Sequence, residues 1–184
     1  MAEKQIARLP YYTARPHIKT GDAILWKGNG LISRLIRLWT PFSHASLVLR
    51  FKRHDTLQDR VFLVEALTSG LELRLLSKRL EHYNGRAYWF HIDVDEKAES
   101  AIIDYALTMC ASGIPYDYGS LIKNIFGRVS ADATRFFCSE FVFNTWVEAG
   151  ILSMPPSGKA PRPGDIPKWV RGILTELEWH PEPE

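Results

Sequence analysis

The chain has 184 residues, 46% apolar and 24% charged, with a formal net charge of +2 at neutral pH. That length suits one domain with a substantial core and is short for two, and the composition is that of an ordinary globular protein. Lysines and arginines are scattered without interleaved aromatics, which argues against a nucleic-acid partner, and no window approaches the roughly 18 apolar residues of a spanning helix.

The N-terminal MAEKQIARLPYY has neither an apolar core nor a small-residue cleavage site, so no signal peptide and a cytoplasmic location are expected. Residues 1–20 are polar and proline-interrupted, an arm or short edge element. Gly21-Asp22 turns into a short strand, Ala23 to Trp26, which Gly28-Asn29-Gly30 ends. Leu31 to Trp39 reads as a short amphipathic helix, with Leu31, Leu35 and Leu38 opposite Arg34 and Arg37. After Pro41, Ser43 to Leu49 is a strand, joined by the polar stretch Lys52 to Arg60 to a second strand, Val61 to Leu67. The two form an antiparallel hairpin. Ser69-Gly70 turns into the alternating strand Leu71 to Leu75, and Ala87 to Ile92 is a further strand.

Asp93 or Asp95 caps a helix from Lys97 to Ala111, whose Ala98, Ala101, Ile102, Tyr105, Ala106 and Met109 make the buried stripe. Gly113-Ile114-Pro115 stops it, and a helical piece from Tyr118 to Phe126 follows. The next helix has Ser130, Asp132 or Thr134 as its cap, an apolar face of Phe141, Val142, Thr145, Trp146 and Ala149, and Gly150 as its C-terminal stop. Ser153 to Pro167 is a proline- and glycine-rich loop, and Asp165 to Leu177 a last short helix. Strands in the middle and helices in the C-terminal half argue for an α+β fold.

Two cysteines, Cys110 and Cys138, make no disulfide framework, nothing has metal-ligand spacing, and no cofactor is expected. Cys110 falls on the apolar side of its helix. Cys138 has two readings: a buried packing residue between phenylalanines, or a nucleophile. A helix start near Phe136 or Phe137 puts Cys138 in the first turn, where partial positive charge favours a thiolate. A thiolate needs a base, and the base needs an orienting group. His44 opens an apolar strand between small Ser43 and Ala45, which leave room for a substrate backbone; His91, in WFHID, is the competing histidine. Glu65 interrupts an apolar run, where a carboxylate needs a partner. If both side chains share a face, Glu65 accepts from one ring nitrogen of His44 and leaves the other for the thiol. In Gly113-Ile-Pro-Tyr116-Asp-Tyr118-Gly119, glycine and proline explain a turn and tyrosine a loop anchor, while a functional reading gives a tyrosine hydroxyl aimed at an oxyanion beside the Cys138 N–H. Ser43, Ser139 and Trp26 are further expected substrate contacts.

Taken in order, Gly21-Asp22-Ala-Ile-Leu, Phe42-Ser43-His44-Ala45, Val64-Glu65-Ala66, G-x-P-Y-x-Y-G, Phe137-Cys138-Ser139-Glu140-Phe141-Val142 and Pro163-Gly164-Asp165 resemble the NlpC-type papain-like cysteine peptidases and amidases. With His and Glu before Cys, the order looks like the circularly permuted branch, the YiiX/YaeF-like group related to the lecithin retinol acyltransferase lineage. The resemblance implies a papain-like α+β fold in which a small antiparallel sheet packs on the nucleophile helix. The resemblance covers most of residues 20–167, and the chain is expected to form one domain, 1–184, with an N-terminal arm at 1–20 and a wrapping segment at 153–184. It implies Cys138 as nucleophile, His44 as base, Glu65 as orienting residue and Tyr116 in the oxyanion hole. The expected reaction is hydrolysis of an amide in a small-molecule or peptide-like acyl substrate. The alternatives are a lipid-linked acyltransferase, touching lipid peripherally through the surface around Trp26, Leu31 and Trp39, and a catalytically silent binding module. Phe before Cys138 and Ser-Glu after it depart from the secreted members and point away from peptidoglycan.

Overall fold

A computed structural model describes residues 6–36, 38, 40–52, 59–67, 70–112, 133–153 and 162–180. Their strands are β1 (Ala7–Pro10), β2 (Ala23–Gly28), β3 (His44–Phe51), β4 (Arg60–Leu67), β5 (Gly70–Leu75), β6 (Gly85–His91) and β7 (Ile173–Glu178). The helices are α1 (Tyr11–Ala14), α2 (Leu31–Ile36), α3 (Leu76–Glu81), α4 (Glu96–Ala111), α5 (Ala133–Glu148) and α6 (Ile166–Trp169), with 3-10 turns at Arg15–His17 and Pro163–Asp165.

The strands form one sheet in the order β1-β7-β6-β2-β3-β4-β5. All neighbours are antiparallel except β1 and β7, which run parallel. The fold is α+β, as the segregation of elements implies, but the sheet is mixed and larger than expected. Residues 7–10 supply an edge strand rather than an arm. Residues 173–178 supply β7 where a helix was expected. Leu174 and Leu177 are three apart, a helical spacing, yet they point to opposite faces of the sheet and enter different cores. A strand with both faces covered carries apolar residues without helical meaning.

Both faces of the central strands are covered. On one, Ala23, Leu25, Ala45, Leu47, Leu49, Val64 and Ala66 pack against α4 and α5 through Ile102, Ala106, Cys138, Phe141, Val142 and Trp146. On the other, Ile24, Trp26, Val48, Leu63 and Trp89 pack against Tyr11, Ala14, Leu76 and Leu80. This explains the unbroken apolar runs of β2 to β4, since successive side chains feed alternate cores. At the edge, β5 keeps its alternation but leaves Leu73 exposed.

Asp95 is the N-cap of α4, accepting from the Ala98 N–H at 2.8 Å. Of its expected stripe, Ala98, Ile102 and Ala106 are buried. The C-terminus of α5 is a Schellman turn: Ile151 N–H donates to Trp146 O at 2.8 Å and Gly150 N–H to Val147 O at 2.9 Å, with Gly150 at φ +73°. Trp146 also donates its indole N–H to Gly21 O at 2.9 Å, pinning α5 to the start of β2. Helix α2 ends at Ile36, earlier than the expected Trp39, and α3 was not anticipated. The expected helical piece at 118–126 lies outside the described residues.

The C-terminal segment also holds the loop in front of β3. Gly164 N–H donates to Thr40 Oγ1 at 3.1 Å, and a Cβ at position 164 would lie 2.3 Å from that oxygen and 2.5 Å from Pro41 Cδ. Gly164→Ala must therefore push the 40–43 loop, and overpacking of this kind costs about 1–3 kcal/mol. The expected outcome is a lower urea midpoint with an unchanged m-value.

Candidate active site

His44 is the first residue of β3 and therefore sits at one end of the sheet. Ala45, its neighbour, faces the α5 core, while Ser46 faces the other side. From that end position the ring is bonded on both sides of the sheet. Its Nε2 lies 2.9 Å from Glu65 Oε1, and its side chain is also hydrogen-bonded to Cys138. With Nε2 taken by the carboxylate, Nδ1 is the nitrogen left for the sulfur. The structure thus brings Cys138, His44 and Glu65 together, although they lie on α5, β3 and β4.

The hairpin register aligns Leu47 with Val64, which sets Glu65 beside the start of β3. Glu65 is fully buried, and three donors converge on it. His44 donates to Oε1 at 2.9 Å and the Ser46 hydroxyl to the same oxygen at 3.1 Å. Arg79 Nε is nearer Oε2, at 3.2 Å, but its N–H is aligned with Oε1 at 3.4 Å, so Oε2 receives the charge without an aligned hydrogen bond. Ser46 in turn accepts the Trp26 indole N–H at 2.8 Å, which leaves its own proton for the carboxylate.

Electrostatics follow from this packing. Burial by itself disfavours an imidazolium at His44. The charge of Cys138, the hydrogen bond to it, and the bond and charge of Glu65 outweigh burial and raise His44 from 6.5 to about 10. Burial likewise works to raise the Glu65 carboxyl, but the His44 hydrogen bond and charge, the Arg79 charge and the Ser46 hydroxyl hold it below its ordinary value. Elsewhere, burial alone pushes the Cys110 thiol up.

Cys138 is 1% exposed and the His44 side chain 18%, so the imidazole is the more open side of the pair. The Ala45 backbone N–H points at the Cys138 sulfur from 3.4 Å. One expectation about the cysteine changes. Helix α5 starts at Ala133, which makes Cys138 its sixth residue rather than a first-turn residue. Its N–H then falls within the i→i−4 ladder instead of among the free donors of the first turn, and the helix-terminal charge has faded. The groups that meet the sulfur are His44 and the Ala45 N–H, not the helix end.

The structure places three other expected contacts. Trp26 is fully buried on the face opposite Cys138, its ring 4.5 Å from that of Tyr83. Its indole N–H braces Ser46. Ser43 is buried and spent on a backbone joint: its hydroxyl donates to Trp26 O at 3.1 Å and accepts from Gly28 N–H at 3.2 Å. Ser139, like Cys138, is buried on α5. Tyr116 lies outside the described residues.

His91, the competing histidine, sits at the far end of β2, with Nδ1 2.8 Å from Asp22 Oδ1. Buried Asp22 also accepts from the Trp89 indole at 2.7 Å and from the N–H groups of Lys19 and Ile92 at 2.8 and 3.2 Å, a clamp between chain segments. Ser46 and Arg79 were missed from the sequence. Ser46 carries a usable signal, a hydroxyl two residues from His44 and hence on the same face. Arg79 carries none, because α3 folds back onto the sheet only in three dimensions.

No protein-family model and no curated protein matches the chain. Among solved structures, the crystal structure of metalloprotein YiiX from Escherichia coli O157:H7 is similar, with a TM-score of 0.50 at 20% identity. The match covers 71% of this chain and 66% of that one, so the chain spans just under two thirds of the YiiX chain. The likeness is one of fold. Among the described residues, no three His, Cys, Asp or Glu side chains are grouped to hold a metal ion, and no helix is long and apolar enough to cross a membrane.

The raised His44 value has a stability consequence with a definite sign. Its contribution is complete below the unfolded value near 6.5 and is lost as pH rises toward about 10. Unfolding free energy from urea titration should fall steadily between pH 7 and pH 10.5, and His44→Asn should flatten that slope. An unchanged slope in the variant would contradict the assignment.

Proposed function

We propose that the protein is a cysteine hydrolase of the permuted papain-like type, cleaving an amide in a small-molecule or peptide-like acyl substrate. The observation that carries this reading is one imidazole bonded at once to a buried carboxylate and to a cysteine sulfur. That is the nucleophile, base and orienting-group relation in geometry rather than in sequence order.

In the proposed cycle Cys138 attacks as thiolate and forms the Sγ–C bond, while His44 holds the proton. The tetrahedral oxyanion falls to Tyr116 on the strength of the sequence resemblance alone. Collapse breaks the C–N bond, and the His44 proton passes to the leaving nitrogen. Water then attacks the thioester, giving a proton to His44, and the C–S bond breaks to release the acid and restore the thiolate. Glu65 keeps the ring oriented throughout. The 1% exposure of Cys138 favours a second reading, a silent binding module, because an acyl carbon reaches the sulfur only when its cover is displaced.

Reaction with iodoacetamide separates the two. Cys138 should label about tenfold faster than Cys110 at neutral pH, and p-nitrophenyl acetate should leave an acetyl adduct on Cys138, seen by intact mass and absent in Cys138→Ala. Equal, slow labelling with no adduct would leave only the binding module. Because His44 must be protonated to expel an amine, amide turnover should decline as pH rises past about 10. Tyr116→Phe should lower kcat by about 10²–10³.

A further inference from the structure

The proposed cycle leaves one charge unaccounted for at its midpoint. That cycle starts from a thiolate facing an imidazolium, with Glu65 facing the same cation. Once the proton has left with the amine, His44 is neutral and the sulfur is a neutral thioester. Glu65, with no exposed surface, would then be an anion with no counter-charge among those two partners. A lone buried carboxylate is costly and would hold the His44 proton back from the leaving group.

Arg79 lies where that charge is needed. Its Nε is 3.2 Å from Glu65 Oε2, and its guanidinium carbon sits 5.1 Å from the ring centres of both Trp26 and Tyr83. Stacking on two rings fixes the planar cation, and a guanidinium does not lose its proton in a protein. Among the described residues, charged neighbours on the adjoining β5 and α3 have partners of their own. Glu72 of β5, opposite Glu65 in the ladder, pairs with Arg74 at 2.8 Å, and Lys78 and Glu81 of α3 pair with each other at 2.8 Å. From β3 comes His44 and, beyond it, Cys138 of α5. Four groups therefore stand in a row across the sheet, Cys138, His44, Glu65 and Arg79, and alternate in sign in the attacking state of the proposed cycle.

We infer that Arg79 is a positioning residue for the reaction proposed above, keeping Glu65 a carboxylate while His44 gives up its proton. The inference rests on that reading for its catalytic meaning, but its electrostatic core stands separately. Removing the cation leaves burial to raise the Glu65 carboxyl. While Glu65 remains ionised, its grip on the His44 proton tightens, so the His44 titration also moves up.

The test uses the full chain with ¹³C-labelled histidine, the His44 ring signal being identified by its loss in His44→Asn. In Arg79→Gln the His44 titration should move up by about one pH unit, and in Arg79→Lys, which keeps the charge, by no more than about 0.3. Acylation by an acyl p-nitroanilide, whose amine needs a proton, should slow about tenfold more than acylation by the matching p-nitrophenyl ester, whose phenolate leaves without one. A folded Arg79→Gln protein with an unmoved His44 titration overturns the inference. So does an Arg79→Lys protein whose His44 titration moves by a full unit from wild type, a reading that needs no folded Arg79→Gln protein. Equal slowing of anilide and ester overturns it too. Absence of any Cys138 adduct in the wild-type protein defeats the hydrolase reading instead, while the His44 titration still decides the Arg79 coupling.

Discussion

A carboxylate with no access to water must be met by donors and opposite charge, and the fold around Glu65 is arranged to meet it. Strand β3 brings His44 and Ser46, α3 brings Arg79, and β2 brings Trp26 to orient Ser46. Each comes from a different part of the chain, so the ionised state of one residue ties four elements together. Removing a single partner from such a cluster is more damaging than never having built it, because the carboxylate stays behind.

The same cluster explains the position of the sulfur. Cys138 contributes nothing to Glu65 directly, and its burial would suit a packing residue. What distinguishes it is the histidine at the strand end, which reaches from the carboxylate on one face of the sheet to the thiol on the other. Only an end residue can do this, because within a strand a side chain belongs to one face. The Trp146 anchor to Gly21 and the Schellman turn after α5 fix the helix that presents the sulfur.

Much of this was legible in the sequence where local pattern and burial agree. The β3–β4 hairpin, the α4 cap at Asp95, the Gly150 stop and the His44–Glu65 proximity all follow from alternation, capping chemistry and the oddity of a glutamate among apolar residues. What was not legible depends on surroundings. Strand β7 was misread because two leucines serving two cores mimic a helical stripe. Trp26 reads as surface until the second core is seen to cover it. The start of α5 is open between three caps in the sequence; Ala133 directly follows one of them, Asp132, and lies before the entry near Phe136 or Phe137 that would put Cys138 in the first turn. Arg79 is an ordinary basic residue in LSKRLE until α3 is laid over the sheet.

The backbone contact between Ala45 and Cys138 spans 93 residues, one of the longest separations that the site bridges. Contacts so distant in sequence are late and slow to form, while the local β3–β4 hairpin closes early. During synthesis the histidine and its acid are made well before the thiol exists. The surroundings of the cysteine are therefore a property of the finished fold alone: in an incomplete chain the sulfur has neither His44 nor the Ala45 N–H beside it, and the docking of α5 is the step that brings the three together.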